Sequence, residues 1–159
     1  MFREMRRKKQ LLSSDEAVSI LENNSSGVLA LLGDNGYPYS VPMSYVYSDG
    51  KIYFHSAKSG HKIDAVKNCN KASFCVIEKD DIVPSRYTTY FKSVIAFGTI
   101  SILEDEEEIV RALRILGEKY NPGHKAECDT EISRFMSNVC VLCLEAEHIT
   151  GKAAKELME

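Results

Sequence analysis

The sequence predicts a mainly β, α+β domain: a barrel of about six antiparallel strands with a few flanking helices. Three observations carry this reading. Short apolar runs bounded by polar or glycine residues recur along the chain, as in GVLALLG and KIYFHS. Tight-turn tripeptides, DNG at 34–36 and SDG at 48–50, separate the early runs at hairpin spacing. Helical periodicity is confined to four short segments.

Ser13 followed by Glu16 spells a capping box, and Ala17, Val18, Ile20 and Leu21 then recur at helical spacing until NNSSG stops the helix. GVLALLG is the first strand. YPYSVPMSYVY is strand-like, but Pro38 and Pro42 cannot donate to a ladder, so an edge or bulged strand with some free backbone is expected. KIYFHS returns as a strand, and GHKIDAVKN reads as a short helix with Ile63 and Val66 on one face. ASFCVIEK is the next strand, DDIVPSRYTTY a polar connection, and YFKSVIAFGTISILE the longest strand. EDEEEIVRALRILGEKY is a helix with acids in its first turn and Lys119 near its end, as the helix dipole favours. NPGHKAECDT reads as a loop, EISRFMSN as a short helix and VCVLCLEAEHI as the last strand. The whole is expected to form one domain, residues 1–159, with residues 1–12 a basic N-terminal arm.

The 159 residues carry a net charge of −3, which gives the molecule no nucleic-acid character as a whole. No apolar run approaches a membrane span. The N-terminus concentrates five cations in nine residues but meets Asp15 and Glu16 at once, unlike a transit peptide. That arm is a solvated leader, a flap over an anionic ligand or partner, or a nucleic-acid arm. Five scattered cysteines without a secretory leader are expected to be reduced, in a cytoplasmic protein. Cys140 and Cys143 spell C-x-x-C on a strand, where residues three apart face opposite sides; they are read as one core and one surface residue, with no metal site. His61, His124 and His148 are expected at the surface, and the acidic run 104–108 on a solvated face.

One stretch, IYFHSAKSGHK (52–62), ends an apolar strand in a polar corner with two histidines and two lysines. Gly60 there opens a predicted helix whose first N–H groups lack partners, and Lys62, Ser56 and Ser59 add a cation and hydroxyls. Helix N-termini of this kind bind phosphate, although a solvated turn would look the same. FKSVIAFG (91–98) repeats the form, with Lys92 and Ser93 at the start of an apolar strand. VPMSY, where Pro42 interrupts the ladder, would offer free backbone groups to a planar ring.

RRKKQLLSSDEA, GYPYSVPMSYVYSDGKIYFHSAKSGHKID, FKSVIAFGTI and EHITGK follow one another along the chain. In these stretches, over nearly its whole length, the sequence resembles the pyridoxamine 5′-phosphate oxidase-like flavoproteins. Among them it is most similar to the branch that includes the nitroimidazole-resistance (Nim) proteins. The resemblance implies a split β-barrel homodimer with FMN at the subunit interface. It implies that Met43, Ser44 and Tyr45 run their backbone past the isoalloxazine, and that His55, Ser56 and Ala57 line the ring and ribityl chain. Lys62 would meet the phosphate, helped by Lys92 and Ser93. His55, near the reacting end of the flavin, is the catalytic candidate, and Arg6 and Arg7 match an arm near the site. The arginine-rich substrate contacts and C-terminal motif of full pyridoxamine phosphate oxidases are not found, which speaks against vitamin B6 oxidation. The expected activity is electron transfer from a reduced nicotinamide to a small nitro or quinone acceptor. A non-catalytic FMN carrier or sensor, and a barrel interaction module using its basic arm, are the alternatives.

Overall fold

A computed structural model of the chain describes residues 1–158. Seven antiparallel strands form one sheet, accompanied by four α-helices. In chain order these are α1 (Ser14–Asn23), β1 (Ser26–Leu32), β2 (Pro38–Ser44), β3 (Val46–Ser48), β4 (Lys51–Ala57), α2 (His61–Asn68), β5 (Lys71–Val83), β6 (Thr88–Ile102), α3 (Glu106–Tyr120), α4 (Lys125–Phe135) and β7 (Val139–Ala153). The capping box at the start of α1 is formed as read: the Ser13 amide donates to Glu16 Oε2 at 2.9 Å and the Glu16 amide to Ser13 Oγ at 3.3 Å.

The strand order is β2-β1-β5-β6-β7-β4-β3. Its two edges, β2 and β3, are consecutive in sequence and separated by Tyr45 alone. The proline-bearing stretch is therefore an edge, as expected, and it is both edges. The sheet curls until its ends meet at one residue, which makes a barrel with a split at Tyr45. Inside it pack Leu29, Ile52, Phe54, Phe74, Val76, Val94, Ile100 and Leu142, with Phe74 edge-on to both Tyr45 and Phe54. Ala17, Ile20 and Leu21 of α1 join this core. A second apolar layer lies outside the barrel, where Ala112 and Leu116 of α3 cover Val46, Tyr53, Val141 and Cys143.

Five expectations need correction. The polar connection at 80–90 is a hairpin arm: Asp80 to Val83 pair with Phe91 to Thr88 around a Pro84–Arg86 turn. Backbone pairing and β-forming Thr88, Thr89 and Tyr90 prevail there over the acidic composition. The NPGHKAECDT loop is helical from Lys125, since α4 binds α3 through an Arg114 Nε–Asp129 Oδ1 contact of 2.7 Å that periodicity within α4 does not reveal. Cys140 and Cys143 do face opposite sides of β7, but α3 covers the second side and both are buried. His148 is half-buried, because Phe2 of the N-terminal arm stacks on it at 4.8 Å between centroids. The arm also bridges to β7 through Leu11 and Lys152, and Leu12 enters the core. β7, at 15 residues, equals β6 in length.

Candidate functional site

The polar corner after β4 folds as its residues dictate. Gly60 caps α2 with φ 119° and ψ 173°, a conformation that disfavours side chains, so glycine is required to turn the strand directly into a helix. The first helical bond runs from the Asp64 amide to the Gly60 carbonyl, which leaves the His61, Lys62 and Ile63 amides facing outward from the helix start. Ile63, Ala65 and Val66 bury the other face. The Lys62 ammonium is half-buried and reaches Met43 Sδ at 3.5 Å. The fold thus brings together Lys62 and Met43, two predicted site residues from different elements, α2 and β2. His61 is exposed, stacks on Tyr39 at 4.0 Å and lies 3.7 Å from Asp34, an anchor between α2 and the β1–β2 hairpin.

VPMSY behaves differently from its reading. Pro42 keeps its register opposite Val28, and the ladder breaks three residues later at Tyr45. The backbone freed there already has a partner in the chain. The Tyr120 hydroxyl accepts from the Tyr45 amide at 2.8 Å and lies 2.8 Å from the Tyr45 carbonyl and 2.5 Å from that of Ser25, either of which takes its proton. The Tyr45 ring is core; its hydroxyl donates to the Leu21 carbonyl at 2.7 Å, and burial pushes its pKa up. Lys119 lies 4.0 Å from that ring's centroid and donates to the Asn24 carbonyl at 2.5 Å, with its pKa pulled down by burial. Of the three VPMSY candidates, Met43 is buried beside Lys62, Tyr45 is occupied, and Ser44 points outward. Sequence reading gave Lys119 only a dipole role at its helix end and missed Tyr120, which carries no local motif.

His55 is exposed near the end of β4, Ser56 is half-buried and Ala57 exposed. His55 and Ser44 line one groove of about 390 Å³, whose other walls are α3, α4 and Val139. Lys92 and Ser93 lie elsewhere. Lys92 pairs with Ala153 at the far end of β7, whereas His55 pairs with Val141 near its start. Lys92 Nζ also contacts Glu78 Oε2 at 3.4 Å.

Ser44 and Ser93 nevertheless share the outer face of the sheet. The row Pro42–Val28–Cys75–Ile95 crosses four strands in register. Both serines lie two residues further along on the same side of it, about 14 Å apart at ordinary strand spacing. This face is apolar: Ile77 is 62% exposed, and Val28, Ile95 and Phe97 are 37–38% exposed. The described residues therefore offer a helix start with Lys62, a groove floored by His55 and Ser44, and an apolar sheet face joining Ser44 to Ser93.

Residues 13–153 match the family model described as pyridoxamine 5′-phosphate oxidase. An uncharacterised protein of Rhizobium meliloti is 28% identical over 152 residues, 91% of this chain and 95% of that one. The fold is similar to that of a candidate 5-nitroimidazole antibiotic resistance protein from Bacteroides thetaiotaomicron. That likeness has TM-score 0.76 and 23% identity, covering 90% of this chain and 86% of that one. It is also similar to an FAD and heme binding protein from Mycobacterium smegmatis, with TM-score 0.79 and 19% identity, covering 92% of this chain and 74% of that one.

Proposed function

The chain belongs to the pyridoxamine 5′-phosphate oxidase family, and from that premise we propose that it is an FMN-binding flavoprotein that passes electrons from a reduced nicotinamide to a small acceptor. The observation that carries this reading is the corner at the start of α2, where the helix-start amides and Lys62 lie within one turn and Lys62 Nζ reaches Met43 Sδ at 3.5 Å. A phosphate monoester suits that donor set, because helix-start amides and an ammonium both favour a dianion. Flavin binding by the Mycobacterium smegmatis neighbour of the same fold agrees with it. FMN ends in such a phosphate.

In this reading Lys62 and the α2 amides hold the phosphate, and Ser44 and His55 line the space beside the ring. The bound flavin supplies two-electron transfer between donor and acceptor. His55, exposed and facing the groove, holds a proton for the acceptor.

The working unit is a homodimer with the cofactor at its interface. Two features support this. Val28, Ile77, Ile95 and Phe97 form an apolar sheet face of the sort that partners cover. In addition, Ser93 lies on that same face, about 14 Å from Ser44 at ordinary strand spacing, so a second copy covering the face would also border the cofactor.

The test is the visible absorption spectrum of the protein as purified, followed by heat release and mass determination of the released species. FMN in the supernatant is expected. A colourless protein that takes up no added FMN overturns the reading. FMN retained without nicotinamide oxidation in the presence of nitro or quinone acceptors leaves a carrier or sensor.

A further inference from the structure

The groove beside His55 has a composition of its own. Leu113 and Leu116 of α3, Ile132 and Phe135 of α4, and Val139 make its walls apolar, and its volume of about 390 Å³ lies in the range of small-molecule sites, about 300–1,000 Å³. The α3 residues are spaced to share one helix face, as are Glu131, Ile132 and Phe135. Its polar groups are few. The Tyr120 hydroxyl is engaged by Tyr45, so Ser44 and His55 are the groups that offer a hydrogen bond from the floor. No lysine or arginine is among the lining residues. At the rim, Glu131 lies 3.6 Å from Arg134, whose guanidinium sits 5.3 Å from the Phe135 centroid, so those two charges offset each other.

An anion entering this space would lose hydration without meeting a cation along the walls, whereas a flat neutral ring would bury its faces against Leu, Ile and Phe. A ring oxygen directed at the floor would meet the N–H of His55. We infer that this groove takes the electron acceptor, and that the acceptor is an uncharged planar compound carrying a carbonyl oxygen, of the two-ring quinone class. The inference rests on the flavoprotein reading for the source of electrons. In balance, a hydride equivalent originating on the reduced nicotinamide and one solvent proton passed through His55 convert the quinone to its hydroquinone and leave the oxidised nicotinamide. α4 sets the selectivity, since it supplies Glu131, Ile132 and Phe135. Its distance from α3 is fixed where Gly117 meets Cys128: a Cβ on Gly117 would overlap the Cys128 sulfur.

The test is a calorimetric titration of the purified full-length protein with 2,3-dimethyl-1,4-naphthoquinone and with a ring-sulfonated derivative of it. The methyl groups block addition by the Cys128 thiol, which lines the groove. The neutral quinone is expected to bind at least tenfold more tightly than the sulfonate. Ile132→Trp, which fills the groove, is expected to weaken neutral binding at least tenfold. Phe135→Ala, at an exposed position that leaves the fold intact, should weaken it about threefold or more. Equal affinity for the two probes, or neutral binding unchanged in Phe135→Ala and in folded Ile132→Trp, overturns the inference. A flavin-loaded protein with variant-insensitive quinone binding overturns the groove alone. A protein devoid of flavin that binds the quinone with the expected variant pattern supports the groove and overturns the flavoprotein reading.

Discussion

The Tyr120 hydroxyl lies 2.8 Å from both the amide nitrogen and the carbonyl oxygen of Tyr45, the single residue between the two edge strands of the barrel. A side chain from α3 thus completes the hydrogen bonding that the sheet abandons at its split. Its neighbour Lys119 packs over the Tyr45 ring from the same turn of helix. The split is structurally sealed at Tyr45 and chemically open one residue earlier, at Ser44.

Tyr120→Phe removes the hydroxyl and leaves two backbone groups short of a partner. The expected cost is about 1–3 kcal/mol, the usual penalty for orphaned buried polar groups. For a chain of this size that corresponds to a melting temperature lower by roughly 2–10 °C. Thermal and denaturant unfolding would measure it; an unchanged midpoint would mean that water replaces the hydroxyl.

Lys62→Ala is expected to weaken FMN retention by about 1.5–3 kcal/mol, the value of a charge-assisted hydrogen bond, or roughly ten- to a hundredfold in dissociation constant. Flavin fluorescence quenching gives the number directly. Because Lys62 Nζ contacts Met43 Sδ, Met43→Leu serves as the control: it preserves apolar volume and should leave flavin affinity nearly unchanged. Equal affinity in wild type and Lys62→Ala would remove Lys62 from the phosphate site.

His55→Ala is expected to separate binding from turnover. Flavin affinity should change by less than threefold, while electron transfer to a quinone or nitro acceptor falls by about 10²-fold, the lower end for loss of a positioned proton donor. Stopped-flow reoxidation of the reduced protein by the acceptor isolates the affected step. A parallel fall in both quantities would assign His55 to cofactor holding.

Much of this architecture is legible in the sequence because its instructions are local. The capping box, the DNG and SDG turns and the glycine before α2 each act within a few residues, and each is found where read. Long-range determinants are not legible. That β2 and β3 lie at opposite edges of one sheet is invisible in YPYSVPMSYVY, since the break at Tyr45 depends on Tyr120, 75 residues away. The first half of α4 reads as loop, and only its second half as the short helix EISRFMSN, because none of its residues is buried by the rest of the chain to mark the full length. The candidate site was partly legible for the same reason. Lys62 lies close in sequence to its helix start, and Ser44 stands opposite His55 when the SDG hairpin register is continued past Val46 and Tyr53, whereas the distance of Lys92 and Ser93 from His55 along β7 follows from strand order.

Acid sensitivity should be traceable to exposed carboxylates. Hydrogen bonding from Arg114 holds Asp129 below the ordinary carboxylate range, the Ser13 amide does the same for Glu16, and Thr99 and then Lys71 do so for Glu147. Each has a folded pKa below its unfolded one. Their contributions are therefore present above about pH 4 and are lost as pH falls through the lower folded values. Asp129→Asn should lower the melting temperature at pH 7 and have little effect near pH 2, where the native carboxyl is itself protonated. A difference that persists undiminished at low pH would mean that Asp129 acts through packing.

Gly98, the glycine that ends the apolar run begun at Lys92 and Ser93, serves the fold. It occupies the irregularity where β6 shifts register against β7, between Phe97 and Gly98, and a Cβ there would overlap the carbonyl oxygen of Glu145. Neither backbone can retreat, because Phe97 and Thr99 are held in ladder pairs with His148 and Glu145. Glycine is needed for close approach. Gly98→Ala is expected to destabilise the chain by about 1–3 kcal/mol, as overpacking does, even though alanine is the better residue in an unstrained strand. Because β6 carries Lys92 and Ser93 six and five residues upstream, the same variant reports on the site. If those residues hold cofactor, flavin affinity should fall along with stability in Gly98→Ala, whereas Gly117→Ala, at the α3–α4 contact, should perturb acceptor binding and spare the flavin. Denaturant unfolding paired with flavin titration on the two variants distinguishes them, and equal effects of both on flavin would argue against Lys92 and Ser93 as cofactor contacts.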